Sequence, residues 1–526
     1  MRMDKLSRVF IVWCLTGVFC LNAYLYAAET GGPDISPEEL SRRMINNPDL
    51  KKYPKGEIFC WHARVGMNRF VDNFTITGDP NWIKAGIEYC DFLLDKMDTA
   101  PDGYKGWIGP YGYDRKCWCD VHVGDAILLT GILDVAVAIV ENPSLKELYA
   151  DKAETYVETA KKHFVEKWDK RGTWREDGPY GTYVSYDKYL DPDNFKEWKH
   201  GEEITRSELN HPFNKEMDAA QVCLRLYRLT GDQFYRDKAE KIFFFAKSRF
   251  QYFDDHYVWN YFEPFGPWDI DLKRKDARHW VNVHPYRSGY QAGEVSKIAE
   301  AYHYGIVFDQ QDIQRIINTN LKVMWNGDRE NPEFINSNGK GGEKGTKGLA
   351  EFRKTYGHSN ATTNAGQLWT GLLDFDQTIR DLYEVQLKKG GRRSEQRRLY
   401  YENVIRKEPP SFKRKYAKGP VTVRDFPFTE CSDIYMAAVM PHITGGGKKS
   451  VIASKSSKAG QLEIALYSND GKKKIKQLHK TRVRAEQTFV MEWDGTDPDT
   501  KQKYVGDYTI RWTLTDGYRQ FPVTIK

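Results

Sequence analysis

The chain has 526 residues, of which 79 are basic, 73 are acidic and 14% are aromatic, and its formal net charge is +6. This length exceeds what one ordinary core needs and favours two structural units. The small net charge does not support a nucleic-acid-binding function. The aromatic content fits a protein that stacks flat rings on sugars, although large helical proteins also use aromatic residues for packing.

Residues 1–28 have the pattern of a secretory signal peptide. Three basic residues, Arg2, Lys5 and Arg8, precede an apolar run over residues 9–25, as in a signal that is cleaved after export. An uncleaved anchor is the alternative, because Tyr26 stands where a small residue is preferred. We expect a mature protein that begins near Glu29, is secreted or periplasmic, and has no membrane span.

Residues 57–390 repeat one theme, a polar loop followed by a pair of helices with apolar residues at helical spacing. The turns TGDPNW at 77–82 and TGDQFY at 230–235 each place a capping residue before a new helical pattern. These pairs are helical hairpins. The predicted helices span residues 83–97, 121–140 paired with 145–168, 234–250, 291–304 paired with 311–325, and 365–387.

This alternation resembles the (α/α) toroid of glycosidases and polysaccharide lyases, over about residues 40–400. The resemblance implies a mainly α fold, an (α/α)6 or (α/α)7 toroid, as a catalytic domain over residues 29–418. A solenoid is the alternative, but its repeats are joined by shorter connections than these loops. In a toroid the loops that precede the inner helices meet at one mouth, so residues far apart in sequence converge there.

The character of the chain changes from about Pro420, where glycine- and serine-rich segments precede strand patterns at 461–467 and 508–514. The segments WDGTD at 493–497 and GDYTIR at 506–511 resemble the Ig-like module of flagellar hook-capping proteins. The resemblance implies a small C-terminal β-sandwich at 455–526, joined by a linker at 419–454, that takes no part in catalysis. We therefore expect truncation after about Ser450 to leave the activity of the toroid intact.

The loop before the predicted helix at 291–304 carries a tyrosine beside a guanidinium. Tyr286 and Arg287 precede Ser288, a plausible helix cap, and Tyr290 and Glu294 then share one face of the helix. Arginine can bind a carboxylate through two hydrogen bonds, and a phenol beside positive charge can transfer a proton. The alternative is that Tyr290 packs in the core and Arg287 pairs with a surface acid.

Asn210 and His211 resemble the Asn-His element of alginate-lyase-type toroids. The resemblance implies that Asn210 neutralises the uronate carboxylate and that His211 removes the C5 proton, with a tyrosine as acid. Pro212 and Phe213 follow, where the family pattern continues Ser-Tyr-Trp, so the tyrosine must come from another loop. The expected catalytic residues are therefore His211, Tyr290, Tyr286, Asn210 and Arg287.

The sequence predicts a polysaccharide lyase that acts by β-elimination on an anionic glycan such as alginate or glucuronan, as a monomer without a cofactor. Further polar and aromatic side chains of the loops are candidates for substrate binding: Trp61, His62, Arg64, His122, Asn214, Trp280, His284, Glu294, His358 and Asn360.

Two other functions remain open. A glycoside hydrolase would need two carboxylates across the cleft, from Asp125, Glu216, Asp218 and Glu294, but acids at these positions also stabilise helix N-termini. A glycan-binding protein without activity would explain the aromatic residues but not the gathering of His, Tyr and Arg. We predict no metal site, because the histidines lack close helical spacing and the cysteines lack a zinc-ribbon pattern.

Overall fold

The computed structural model describes residues 35–110, 118–185, 209–253, 255–278, 288–335, 337, 366–427, 433–444, 449–515 and 517–526. The predicted signal peptide lies outside these residues. The protein is about 47% helix and 23% strand. The helices lie before residue 406 and the long strands lie after residue 433, so the chain divides into a helical region and a C-terminal β region.

The α-helices of the helical region follow one another through most of its length. In chain order they are α1 Pro37–Ile45, α2 Pro48–Lys52, α3 Gly56–Arg64, α4 Asn68–Thr77, α5 Asn81–Leu94, α6 His122–Glu141, α7 Pro143–Ala160, α8 Phe213–Thr230, α9 Gln233–Ser248, α10 Ser288–Tyr304, α11 Gln310–Asn318, α12 Gln377–Gly390 and α13 Glu395–Tyr400. Helix α7 continues through a π-helical segment, Lys161–Glu166, into a last turn, Lys167–Lys170. Helices α11 and α13 also end in π-helical segments, Thr319–Met324 and Tyr401–Ile405.

The predicted helices at 83–97, 121–140, 145–168, 234–250, 291–304 and 311–325 are confirmed, with ends shifted by a few residues. The prediction at 365–387 is wrong in its first half, which holds a 3-10 turn at Thr370–Leu372. Helix α12 begins only after Asp376, whose side chain accepts a hydrogen bond from Ile379 N at 2.9 Å. This cap fixes the start of the helix.

The hairpin turns form as their residues predict. Gly78 and Gly231 end α4 and α8 with φ of 72° and 74°, a left-handed conformation that glycine adopts without strain. After Gly231, the Asp232 side chain accepts a hydrogen bond from Phe234 N at 3.0 Å and starts α9.

The helix contacts run in a closed circuit. Helix α6 packs on α3 and α8, α8 packs on α10, and α10 packs on the Thr370–Leu372 turn; this turn packs on α12, α12 on α13, α13 on α4, and α4 on α6. At the closure, Gln396 Nε2 donates to Asn73 Oδ1 at 2.6 Å across 323 residues of sequence. By length and composition α6 could span a bilayer, but 78% of its apolar window is buried inside the protein, as in the core helix of a soluble protein.

Short strands accompany the helices, and longer strands form the C-terminal region. Strands β1 Trp174–Asp177 and β2 Tyr180–Tyr183 form one hairpin, and β3 Gln251–Phe253 and β4 His256–Val258 form another. The C-terminal strands are β5 Ile434–Met440, β6 Ser450–Ser456, β7 Gly460–Ser468, β8 Lys474–Val483, β9 Thr488–Trp493, β10 Gly506–Leu514 and β11 Gly517–Ile525. Two-residue strands lie at Asp98–Thr99, Lys105–Gly106, Gly109–Pro110, Trp118–Cys119, Ile270–Asp271, Asp276–Ala277, Ile306–Val307, Thr422–Val423 and Ile443–Thr444.

The C-terminal strands form two sheets around a shared apolar cluster. One sheet has the order β5-β6-β9, and the other has the order Ile443–Thr444, β11, β10, β7, β8. All neighbours are antiparallel except Ile443–Thr444 and β11, which are parallel. Ile452 and Trp493 of the first sheet share the cluster with Ile464 and Trp512 of the second.

The first sheet begins earlier than the predicted module, because β5 and most of β6 lie in the range 419–454 that was expected to be a linker. The strands predicted at 461–467 and 508–514 are confirmed as β7 and β10. Every residue of β5 is buried, so its sequence IYMAAVM lacks the alternation of polar and apolar residues that identifies a strand.

Strand β5 is buried on both faces. One face packs in the cluster between the two sheets, and the other packs against the helical region. Tyr435 and Met436 form an apolar cluster with Tyr261, Phe262 and Ile270. Polar contacts surround the cluster: His442 Nδ1 lies 2.6 Å from Asp177 Oδ1, and Thr488 Oγ1 donates to Asp276 Oδ1 at 2.5 Å. The two regions therefore share a packed interface.

Candidate functional site

The predicted site residues fall into two groups. Asn210, His211, Tyr290, Trp61, His62, Arg64, His122, Asn214 and Glu294 belong to the described part of the chain. The candidates Tyr286, Arg287, Trp280, His284, His358 and Asn360 lie outside the described residues.

His211 lies in the loop that leads into α8, beside the hairpin strand β2. Its backbone N–H donates to Tyr183 O at 3.3 Å, and its Nδ1 lies 3.4 Å from Glu216 Oε1. The other carboxyl oxygen of Glu216 accepts a hydrogen bond from Tyr183 N at 2.9 Å. The side chain of His211 is 11% exposed and that of Glu216 is 1% exposed, so both groups are largely buried and only the imidazole keeps some contact with solvent.

Glu216 differs from an ordinary carboxyl because it is buried. Burial raises the pKa of Glu216 to about 8, and backbone hydrogen bonds from Tyr183 and His211 oppose this rise only in part. The carboxyl therefore changes its protonation near neutral pH, directly beside an imidazole. Such a pair is typical of groups that exchange protons with a substrate.

His122, the first residue of α6, packs against His211. The two ring centroids are 5.2 Å apart, and the His122 ring also contacts Tyr183 at 4.5 Å and Phe164 at 4.9 Å. Burial lowers the pKa of His122 well below its ordinary value, so this imidazole is neutral. Neither of its ring nitrogens has a hydrogen-bond partner among the described residues. His122 is therefore a buried, neutral ring that packs against His211.

Asn210 is bound to the protein on two sides. Its backbone N–H donates to Asp269 Oδ1 at 3.1 Å, and its side-chain Nδ2 donates to Glu263 O at 2.7 Å. Asp269 also accepts hydrogen bonds from Phe265 N at 2.9 Å and Gly266 N at 3.0 Å. Asn210 is almost fully buried, so these contacts fit a residue that holds the His211 loop better than one that meets a sugar.

A cation lies beside the first turns of α8. Lys297 Nζ, from α10, lies 2.5 Å from Asp218 Oδ1 and donates to Asn214 O at 2.9 Å. Asn214 Oδ1 has no hydrogen-bond partner among the described residues. Lys297 follows Glu294 by three residues and thus lies about one turn further along α10.

Tyr290 and Glu294 occupy the first turns of α10. The Tyr290 ring stacks on Tyr261, with the centroids 5.5 Å apart and the planes 19° apart, and it borders the cluster that joins the two regions. Glu294 is fully buried, and its Oε2 accepts a hydrogen bond from Trp259 Nε1 at 2.8 Å. Tyr261 O in turn accepts from Phe213 N at 3.1 Å, which connects this group to the His211 loop.

The candidates on α3 have separate surroundings. Trp61 is half-buried, and its Nε1 lies 3.4 Å from Glu57 Oε1. His62 is buried, stacks on Tyr53 at 5.7 Å and lies 3.5 Å from Asp49; burial lowers its pKa. Arg64 is half-buried at the end of α3.

A buried ion network fixes the start of α6 under the site. Lys167 Nζ lies 2.5 Å from Asp125 Oδ2 and 3.0 Å from Asp120 Oδ2, and Arg171 Nη1 lies 2.7 Å from Asp120 Oδ2. Burial raises the pKa of Asp125 to about 7, although Lys167 opposes this. Trp168 Nε1 also donates to Asp125 at 3.0 Å. These contacts give Asp125 a structural role and make it a poor member of a hydrolytic pair.

Sequence reasoning missed the residues that surround His211 from other elements. Tyr183 was not a candidate, and Glu216 was considered only for a hydrolase. The loop WNYFEP at 259–264 was also overlooked, although its mixture of aromatic and polar residues resembles that of the loops that were selected.

No protein-family model matches the chain, and no curated protein shows significant similarity to it. Within the described ranges, no group of three or more His, Cys, Asp or Glu residues is arranged to hold a metal ion. Cys60, Cys90 and Cys223 are buried free thiols.

Proposed function

We propose that this protein is an (α/α)-toroid polysaccharide lyase, secreted or periplasmic, with a C-terminal Ig-like β-sandwich. Its substrate would be a uronic-acid-containing glycan of the alginate or glucuronan type. The closed circuit of helix contacts supports the toroid, and the two sheets with a shared apolar cluster support the sandwich.

The observation that carries the proposal is the pairing of His211 with Glu216. The Glu216 carboxyl lies 3.4 Å from Nδ1 of His211 and changes its protonation near neutral pH, so it can exchange a proton with the imidazole. The His211 side chain keeps 11% of its surface exposed. An imidazole beside such a carboxyl suits the role of a general base.

In the proposed reaction, His211 removes the C5 proton of a uronate, the C4–O bond breaks, and a double bond forms between C4 and C5. An acid protonates the leaving oxygen, and Tyr290 or Tyr286 would supply this proton. Arg287 would bind the carboxylate, and Lys297 would add positive charge on the α8 side. Asn210 is engaged with Glu263, so we assign it to holding the His211 loop.

The test is incubation of the purified protein with alginate, glucuronan and neutral glycans. A lyase produces ultraviolet absorbance from the C4–C5 double bond, together with new reducing ends. Reducing ends without that absorbance would identify a hydrolase. Binding without any product would identify a glycan-binding protein.

A glycoside hydrolase is the second candidate, and Glu216 favours it. A carboxyl whose pKa is raised to about 8 by burial is protonated at neutral pH and suits a general acid. Glu294, at the start of α10, would be the second carboxylate. In that case Glu294→Gln abolishes the release of reducing ends, whereas His211→Ala retains it.

A further inference from the structure

We propose that the C-terminal β region positions the His211 loop through Arg519, so that this region is part of the working site. Arg519 would be a positioning residue, since it acts through other groups. The expected loss of activity rests on the proposed role of His211 as a base. The expected change in the NMR signals of the His211 imidazole does not.

The connection begins at one backbone carbonyl of β5. Tyr435 O accepts a hydrogen bond from Arg519 Nη1 at 3.2 Å within the β region, and from Asn260 Nδ2 at 3.1 Å in the helical region. Arg519 Nη1 also lies 3.5 Å from Ile434 O. The guanidinium of β11 thus holds the strand edge to which Asn260 is attached.

The connection continues from Asn260 to the site. Asn260 Nδ2 also donates to the carboxyl of Glu263, and the backbone carbonyl of Glu263 accepts from Asn210 Nδ2 at 2.7 Å. His211 is the next residue. A displacement of β5 would therefore reach the imidazole through two buried asparagines and one glutamate.

Arg519 and Glu263 of this connection also interact electrostatically. The Glu263 carboxyl is fully buried, and burial raises its pKa to about 7, whereas Arg519 and Arg249 oppose this rise. Both guanidinium groups are nearly buried and lie over the Phe521 ring of β11, at 5.6 Å and 5.0 Å. Loss of Arg519 would leave a buried acid with less compensation, which is costly.

The apolar cluster makes this connection stiff. Tyr435 and Met436 pack with Tyr261 and Phe262, which follow Asn260 directly in sequence, so the strand and the loop move together. A spacer module would need no such contact with the residues that support the site.

The experiment compares Arg519→Met with Arg511→Met. Arg511 is the matched control, because it lies on the neighbouring strand β10 and stacks on Tyr467 and Tyr518, each at 4.0 Å. We expect Arg519→Met to shift the NMR signals of the His211 imidazole, assigned with His211→Gln, and to change their pH titration. It should lower kcat by roughly tenfold or more with little change in KM. Arg511→Met should change neither.

Glu263→Gln completes the test as a double-mutant cycle. If Arg519 acts through Glu263, the double variant is less impaired than the sum of the single changes, because a neutral amide in place of the carboxyl no longer needs the cation. Arg519→Lys, which keeps the charge but loses the planar fork, should have an intermediate effect and serves if Arg519→Met does not fold.

A folded Arg519→Met or Arg519→Lys protein with wild-type His211 signals would overturn the proposal. Failure of the wild type to act on any glycan would instead overturn the proposed function, and the imidazole signals would still decide whether Arg519 positions His211.

Discussion

The residues of the candidate site differ mainly in how far their side chains are exposed to solvent. His211 remains partly exposed while Glu216, five residues later, is buried against it. The intervening Pro212 has an extended conformation, with φ of −63° and ψ of 153°, and turns the chain from the loop into α8. The proposed base and the acid beside it thus come from one short segment, and the backbone of Tyr183 forms hydrogen bonds with both residues.

At this scale we expect proton transfer to depend on His211 and on one tyrosine. His211→Ala should lower turnover by about 100-fold or more, because positioned acid–base catalysis is typically worth that much. Tyr290→Phe tests the acid, since it keeps the ring stacked on Tyr261 and removes only the hydroxyl. Initial rates of double-bond formation measure both effects.

The control for His211→Ala is His479→Ala, which removes an exposed imidazole from β8 and should leave turnover unchanged. Near-normal turnover in His211→Ala would refute its role as base. Near-normal turnover in Tyr290→Phe would transfer the acid role to Tyr286.

The raised pKa of Glu216 predicts a pH-dependent contribution to stability. The folded state keeps this proton up to about pH 8, whereas the unfolded state loses it near the ordinary value of 4.5. The stability that the protonated group contributes is therefore present below about pH 4.5 and is lost as pH rises to about 8. Glu216→Gln does not titrate, so its free energy of unfolding relative to the wild type should increase from pH 5 to pH 8.

Urea unfolding at several pH values measures this difference. Glu154→Gln is the control, because Glu154 is exposed on α7, and its difference from the wild type should vary much less with pH. If the Glu216→Gln and wild-type stabilities change in parallel, Glu216 is not a buried titrating group.

Among the secondary-structure elements, the π-helical end of α7 has the clearest effect on the site. It brings Lys167 under α6, between Asp120 and Asp125, and so holds the turn that begins with His122. Lys167 is fully buried; it compensates the charge of Asp125 and shares Asp120 with Arg171.

We therefore expect Lys167→Met to lower the free energy of unfolding by about 3–5 kcal/mol, the typical cost of breaking a buried ion pair. Lys161→Met, in the same segment, removes a partly exposed pair with Glu158 and should cost only about 0–1 kcal/mol. Chemical denaturation compares the two variants. Equal losses would show that the buried network does not hold the segment.

On the scale of the whole molecule, the helical and β regions share the cluster around Tyr261 and Tyr435. We expect calorimetry to show one unfolding transition for both regions, and Met436→Ala to lower its midpoint for the whole protein, because a buried cavity costs about 2–5 kcal/mol. Two separate transitions, with only one shifted by Met436→Ala, would contradict this expectation.

The same interface reverses the expectation for truncation. Ending the chain after Ser450 would remove almost all of β6, the strand that pairs with β5, and would expose Ile434 and Val439, which pack in the apolar cluster shared by the two sheets. We now expect the truncated protein to aggregate or to lose activity. A soluble and active truncation would show that the interface is dispensable.

Much of the helical region could be predicted because its signals are local. Helical spacing of apolar residues and the two Thr-Gly-Asp turns give α5, α6 and α9 to within a few residues. The start of α12 was missed because the Asp376 cap competes with an apolar pattern that begins earlier. Strand β5 was missed because burial on both faces removes its alternation.

The sequence by itself determined which loops carry polar and aromatic side chains, and it identified His211 and His122 as candidates. Only the tertiary structure decided that His211 pairs with Glu216, that Asn210 is bound to Glu263 and Asp269, and that β5 lies against the loop around Asn260. The reason is physical. Spacing along the chain reports local periodicity, whereas the burial that shifts a pKa or engages an amide comes from elements distant in sequence.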